Sequence, residues 1–562
     1  MWRKTANPVD IGIGLLVIAL AVVLFRDGPQ VYSLEQPSLD VSLRYLPFYT
    51  MASVGRMIAA MILSLIIDVL AGYLAAAHKR WAGLILPASD ILQSVPVLGF
   101  FPAAVFFFIR IFGSSAIGVE LAAIFLIITS ALWNLIFAVY ESITTIPEDL
   151  QLAGRQLGLQ GYTQWTRVVL PAVLHKLAYN SMISWANGWY FLIASEIIVI
   201  GPIHYRLPGL GSYLAQTMST GNYRHAVYGL IVLTVVIVAF HLVVWSPLNH
   251  WSVRFMYDTA ESQVTPQPRR RSALLFYMAR SRFLRTIWDG VLRPAISAIL
   301  SLIRFILERE RTRRGSVMAW FIFAAFLGAI VWGISGSVIQ LTRPTPLMYE
   351  IPSALILSFL RLLAAYAIAL AWTLPVAVWI GGNEDIARRV LPVIEIIASI
   401  PATAFFPLIV LFILRWGGDM NLTSILLVTT GMQWYLLFNL IAGVRATPED
   451  LHQISDSLGL TGFIKWKRLV LPAIYPSLVT GSLTAIGGGW NALVLSEYVV
   501  AEGRVYSVHG IGALLDYGTY ESGNLQLIVM SISAMVLFIL IVNRFFWQPA
   551  YHLAQRRFAL NY

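Results

Sequence analysis

The sequence predicts an all-α membrane protein made of two tandem, parallel six-helix halves, about twelve spans in all. Three observations predict it. Of 562 residues, 58% are hydrophobic and only 12% charged, with a mean hydropathy of +0.73, against roughly 25% charged in soluble domains. Apolar runs of the roughly 20 residues that cross a bilayer recur from end to end. The second half also repeats the first, in the same order.

The spans read, in order, as roughly 11–25, 55–77, 91–112, 117–140, 177–200, 226–246, 317–340, 352–380, 391–414, 422–444, 478–500 and 525–547. The first follows a basic start, Trp2-Arg3-Lys4, and no small-residue cleavage site follows it. It therefore reads as an uncleaved span rather than a secretory signal. Basic loops alternate with loops poorer in Lys and Arg. The basic ones include 78–81, Arg155–Lys176, Arg388-Arg389, Lys465–Arg468 and 555–557. Lys and Arg collect on the cytoplasmic side, which puts both termini there.

The repeat is read residue by residue. Arg56-x-x-Ala59-Ala60 matches Arg361-x-x-Ala364-Ala365, 305 residues on, and "LPASDILQSVPVLGFFP" (86–102) matches "LPVIEIIASIPATAFFP" (391–407). Arg110 matches Arg415. Past a four-residue loss the offset is 301: Pro147-Glu148-Asp149-Leu150 matches Pro448-Glu449-Asp450-Leu451, and Gly188-Trp189 and Ser195-Glu196 match Gly489-Trp490 and Ser496-Glu497. Six spans per copy make the halves parallel, related by a pseudo-twofold along the membrane normal. The domains are then 1–250 and 317–562, joined by 251–316. Between Arg254 and Arg314 the chain holds 13 Arg, no Lys and 5 Asp or Glu. This linker reads as amphipathic helices on the anionic leaflet.

No cysteine is present, which excludes disulfides, thiolate catalysis and Cys-ligated metals. The nine histidines are scattered, so no metal site is expected. The basic balance belongs to the membrane topology and not to nucleic acid.

Each half carries one polar cassette between apolar runs: "QLGLQGYTQWTRVVLPA" (156–172) and "SLGLTGFIKWKRLVLPA" (457–473). Pro147 or Pro448 followed by Glu-Asp suits a helix start. Leu157-Gly158-Leu159 and Leu458-Gly459-Leu460 then lead to Gly161 or Gly462, which is expected to break the helix. A second amphipathic piece should end at Leu170-Pro171 or Leu471-Pro472. Loops normally diverge fastest, yet this one is among the best-matched parts of the two halves. A shared external partner that docks twice explains that better than a loop packing on its own half.

Intramembrane charges recur at Arg56/Arg361, Arg110/Arg415 and Glu196/Glu497. They are costly and face a cavity or each other. Two readings are open. The Glu residues pair structurally with Arg56 and Arg361 while Arg110 and Arg415 snorkel outward. Or a spare Arg per half, helped by Arg206, Arg224 and His225, makes the outer vestibule positive and favours an anion. On the second reading Arg56, Arg110, Trp189, Ser195, Glu196, Arg361, Arg415, Trp490, Ser496 and Glu497 line the path. The proline pairs Pro96/Pro102 and Pro401/Pro407 should break the third span of each half, to bury backbone or to line a cavity.

Gly, nine residues, an apolar residue, any residue, then Leu-Pro fits Gly158 to Pro171 and Gly459 to Pro472. This resembles the cytoplasmic "EAA" loop of permeases of ATP-binding-cassette (ABC) importers. The resemblance covers nearly the whole chain, as two tandem parallel six-helix permease domains of type I ABC importer-like fold. It is nearest to the fused anion permeases of the nitrate, sulfonate, taurine and bicarbonate group. The Glu-Ala-Ala triplet itself falls on Leu152-Ala153-Gly154 and Gln453-Ile454-Ser455, so its Glu is missing in both halves.

The resemblance implies an inner (cytoplasmic) membrane permease of a bacterium. It further implies that Glu148, Asp149, Leu157, Gly158, Leu159, Pro171 and Glu449, Asp450, Leu458, Gly459, Leu460, Pro472 form two coupling helices. Each would seat on a separate ATPase subunit, with an extracytoplasmic substrate-binding protein as a further partner. No G-x-x-x-x-G-K-[ST] loop is present, so this chain is expected to be no enzyme and to hold no cofactor, Mg-ATP belonging to the partners. An ion-coupled secondary transporter with parallel internal repeats is the alternative. It has no reason to keep both cassettes.

Overall fold

The computed structural model describes residues 39–94, 96–97, 104–255 and 346–558, and the isolated positions 286, 290 and 294. Breaks fall at 106, 109–110, 113–115, 160–161 and 201–202. The predicted spans at 11–25 and 317–340 lie outside the described residues, as does nearly all of the linker.

The first half runs α1 (Leu46–Ala77), α2 (Lys79–Ser94), α3 (Ala116–Thr144), α4 (Glu148–Gln156) and α5 (Leu170–Ser195). An antiparallel hairpin, β1 (Ile197–Ile200) and β2 (Ile203–Arg206), follows, then α6 (Leu210–Ser219) and α7 (Tyr223–Phe240). The second half repeats this as α8 (Ile351–Gly381), α9 (Glu384–Ser399), α10 (Phe406–Arg415), α11 (Met420–Arg445), α12 (Glu449–Ser457) and α13 (Leu471–Ser496). Its hairpin is β3 (Tyr498–Ala501) and β4 (Arg504–Ser507), followed by α14 (Ile511–Asp516) and α15 (Leu525–Val542).

In each half the third long helix is the packing centre: α3 lies against α1 and α5, and α11 against α8 and α13. Small residues set the approach. A Cβ on Gly188 of α5 would meet Met57, and one on Gly489 of α13 would meet Leu362 and Met432, all within 3 Å. The halves meet reciprocally: α2 packs on α15, and α9 packs on α7. That exchange is what a pseudo-twofold between parallel halves produces.

Seven described helices are long and apolar enough to cross a membrane, or eight if α9 and α10 count as one span bent by 62°. Three expectations need correction. The span placed at 391–414 is two helices, because Ile400 precedes Pro401 and takes extended dihedrals (φ −79°, ψ 121°), as the residue before proline prefers. The spans placed at 177–200 and 478–500 end at Ser195 and Ser496, and their last residues form hairpins. They also start earlier, at Leu170 and Leu471, and α5 is not among the seven. His175, Lys176, Asn180 and Asn187 make it more polar than α13.

The early start has a local cause. Leu-Pro does not end the cassette's second piece. Instead Trp165–Val169 and Trp466–Val470 widen to π-helical turns. The amides of Leu170 and Leu471 donate to the carbonyls of Trp165 and Trp466, five residues back. The rings of Pro171 and Pro472 would otherwise clash with a carbonyl four residues back and offer it no N–H. A wide turn absorbs both problems and lets the helix continue. The same device stands before Pro247 (His241–Trp245) and Pro549 (Asn543–Trp547).

Candidate functional site

At the hairpin end each half closes on a buried ionic knot. Ser53 and Arg56, three apart on α1, share a helix face. Arg56 Nη1 donates to Glu196 Oε1 at 2.7 Å and to the Pro208 carbonyl at 2.8 Å. Ser53 Oγ donates to the same Glu196 oxygen at 2.5 Å and accepts from the amide of Leu210 at 2.8 Å. The other Glu196 oxygen accepts from the amide of Gly211 at 2.6 Å, so the carboxylate caps α6 at its positive end. The second half builds the same knot. Arg361 Nη1 and Ser358 Oγ donate to Glu497 Oε1 at 2.7 and 2.6 Å, and the Gly512 amide donates to Oε2 at 2.8 Å. Both Glu side chains are fully buried.

Two glycines make room. Gly209 and Gly510 have extended backbones, so their role is space. A Cβ at either would lie 2.2 Å from a carboxyl oxygen of the knot.

The knots differ at two positions, neither of them singled out by the sequence. Arg56 also meets Glu120 in a bidentate pair, Nε and Nη2 each 2.7 Å from a carboxylate oxygen. The repeat places Asn421 there, and its Oδ1 accepts from Arg361 Nε and Nη2 at 3.0 and 2.9 Å. The second half carries its additional acid elsewhere. Asp516 of α14, whose counterpart is Ala215, is buried near Glu497. Burial, with that neighbouring charge, pushes the Asp516 carboxyl well above the usual carboxylate range.

The cassettes occupy the opposite end. α4 and α12 stop where Gly158 (φ +72°) and Gly459 (φ +65°) take left-handed dihedrals, which glycine adopts at no steric cost. The amides of Leu159 and Leu460 reach back to the carbonyls of Gly154 and Ser455, each at 3.0 Å. This is a Schellman cap in both halves. The break expected at Gly161 or Gly462 thus falls three residues earlier; Gly161 lies outside the described residues. The cap turns Leu157 and Leu458 outward, 78% and 70% exposed, and keeps Leu159 and Leu460 half-buried. Glu148, Asp149 and Asp450 are exposed in the first helical turns. Pro171 and Pro472 sit in the first turns of α5 and α13. Leu152 and Gln453, where the Glu-Ala-Ala triplet would begin, are exposed, and the neighbouring Gln151 donates through Nε2 to the Ile146 carbonyl at 3.2 Å.

Between the halves lies a cavity of about 360 Å³, walled by α5 and by His241, just past α7, of one and by α9, α11, α13 and the Ile400–Ala402 break of the other. Tyr435 Oη donates across it to Asn187 Oδ1 at 3.1 Å. Repeat symmetry would put a second asparagine at 488. The residue is Gly488, and a Cβ there would come within 2.6 Å of the Tyr435 ring. The missing side chain is what lets Tyr435 cross to Asn187. Tyr190 Oη and Asn491 Oδ1 are buried with no partner among the described residues.

None of the described path candidates lines this cavity. Trp189 and Trp490 are packed inside their halves, edge-on to Trp185 and Phe538. Ser195 donates to the Leu192 carbonyl, and Ser496 pairs with Ser424. Arg56, Glu196, Arg361 and Glu497 are tied into the knots, and Arg415 is exposed at the end of α10. Arg110 lies outside the described residues. Arg56 meets two carboxylates, so the first half has no surplus positive charge at its knot. Asn187, Tyr190, Tyr435 and Asn491 carried no signal in the sequence because the two halves differ at each.

Comparison with known proteins accounts for the repeat. The family profile described as binding-protein-dependent transport system inner membrane component matches twice, over residues 68–246 and 373–548. The chain is 25% identical over 184 residues to the taurine transport system permease protein of Escherichia coli, covering 33% of this chain and 63% of that one. It is 23% identical over 169 residues to the nitrate import permease protein of Synechococcus elongatus (30% and 57%). It is 24% identical over 190 residues to the bicarbonate transport system permease protein of the same species (34% and 65%). In these three cases the match spans less than two thirds of the relative's length. With both copies matched over more than half of its residues, this multi-pass membrane protein belongs to the family of binding-protein-dependent transport system inner membrane components.

Proposed function

We propose that the chain is the permease subunit of an ABC importer, a fused pair of halves that forms the path for a small anionic solute. It catalyses no covalent step itself. Two ATPase subunits that bind Mg-ATP dock on the cassettes, in a bacterial inner membrane with both termini cytoplasmic. An extracytoplasmic binding protein delivers the solute to the opposite face.

One observation carries this reading: two exposed leucine tips, Leu157 and Leu458, presented by the same Schellman cap 301 residues apart. Hydration of an exposed leucine is unfavourable, and fully burying one contributes roughly 1.5–3 kcal/mol. A twofold partner surface gains that twice. Closure of an ATPase pair would bring the tips together and rock the halves, opening the cavity to alternate sides.

The anion reading rests on kinship with permeases named for taurine, nitrate and bicarbonate. It also rests on the neutral donors at the deep end of the cavity. The Tyr190 hydroxyl has no partner among the described residues, and hydrogen bonds to an ionised group are roughly twice as strong as neutral ones.

The test is co-purification of the full chain with the ATPase expressed beside it. Leu157→Asp with Leu458→Asp should abolish co-purification and solute uptake while shifting thermal unfolding by less than about 0.5 kcal/mol, as exposed substitutions do. Uptake that survives the double variant, or that a protonophore abolishes without any ATPase, would overturn the reading in favour of ion coupling.

A further inference from the structure

We infer that Glu395 is the release residue of this permease: its carboxylate, at the mouth of the cavity, weakens the hold on a bound anion and opposes its return. The inference rests on the permease reading above and on an anionic passenger.

The cavity has a direction. Along α5, which runs from the cassette to the hairpin, its lining extends from Tyr179 to Phe191. At about 1.5 Å per residue that is roughly 18 Å of wall. The hairpin-side end is closed: Tyr190 Oη and Asn491 Oδ1 are buried there, and Tyr435 bonds Asn187 across the gap. The cassette-side end is open, since Tyr179 is 47% exposed. Glu395 lines this open end. Its carboxylate is in electrostatic reach of Tyr179, and no hydrogen-bond or ion-pair partner stands against it among the described residues. Among the lining residues it is the one Asp, Glu, Lys or Arg.

A lone carboxylate is a poor choice for the wall of an anion path unless repulsion is its purpose. Asn187 stands eight residues beyond Tyr179 on α5, about 12 Å. Two unit charges that far apart, at an effective dielectric of about 20, repel by an amount that corresponds to a roughly tenfold loss of affinity. An anion returning from outside meets the same sign first, which slows its encounter. The charge therefore biases the inward-open cavity towards emptying. The repeat places Asp90 at the matching position of the first half.

The experiment uses the full chain in lipid nanodiscs, with nitrate, bicarbonate and 2-hydroxyethanesulfonate as probe anions and tryptophan fluorescence as the readout, Trp434 being in the wall. Glu395→Gln should bind at least one probe about tenfold more tightly than the wild type at low ionic strength, and the gap should narrow as salt is added. Glu395→Asp should restore the weak wild-type affinity. Unchanged thermal unfolding of Glu395→Gln separates the charge from the fold, and a purely structural role would show neither the salt dependence nor the rescue. Equal or weaker binding by Glu395→Gln overturns the inference. Binding of none of the three anions to either form overturns it as well. Co-purification with the ATPase should be the same for wild type and Glu395→Gln, so failure here is distinct from failure of the permease reading.

Discussion

The knot around Arg56 and the knot around Arg361 share an Arg, a Glu, a Ser and a capped helix, yet they balance charge differently. In the first half two carboxylates, Glu196 and Glu120, close on one guanidinium. In the second half Asn421 replaces the second carboxylate, and the additional acid, Asp516, sits on α14 beyond Glu497. The shared part is what the fold requires: a buried Arg must be paired and hydrogen-bonded, and the amides at the start of α6 and α14 must find acceptors. The unshared part is where one half has drifted without losing that pairing.

The sharpest test of the shared part is steric. Gly209→Ala and Gly510→Ala each drive a Cβ into a knot carboxylate. Each should cost about 3–5 kcal/mol, the range for breaking a buried ion pair, and the two losses should be alike. Thermal unfolding in detergent would show it. A mild loss in one half alone would mean that its knot is not built as described.

Removing the shared acid should break the likeness. Glu497→Gln leaves Arg361 with neutral partners only at the distances described, and should cost about 3–5 kcal/mol. Glu196→Gln leaves Arg56 its bidentate pair with Glu120 and should cost roughly half as much by the same measurement. Equal losses would show that Glu120 contributes little. The smallest change copies one half into the other. Glu120→Asn gives Arg56 the direct side-chain partners of Arg361, one Glu and one Asn, and should cost about 1–2 kcal/mol, less than either glutamine variant, because a working precedent for that pairing stands in the second half.

Comparing the halves made some of this legible and hid the rest. The cassette, the Arg–Glu pairs and the tryptophans all recur at fixed offsets, so the repeat brought them forward. What recurs is what both halves need, and that is scaffold and coupling surface. Trp189 and Trp490 are core residues for that reason. The passage between the halves is lined by residues that do not recur: Asn187 against Gly488, Tyr190 against Asn491, Tyr435 against Asn134. Glu120 was missed by the same rule, since its counterpart is Asn421. The span ends were misplaced for a different reason. Hydropathy does not register that residues 197–200 and 498–500 pair as strands, or that a π turn carries a helix through Leu-Pro.

The mismatch of Asn187 and Gly488 reaches past geometry. A homodimer must offer its passenger two identical walls, and any substitution that improves one contact is imposed on the other side as well. Covalent fusion lifts that constraint. Each wall of this passage can be tuned alone, so the chain can come to prefer a molecule whose two ends are unlike, which a strictly symmetric pore would have to meet with the same chemistry at both.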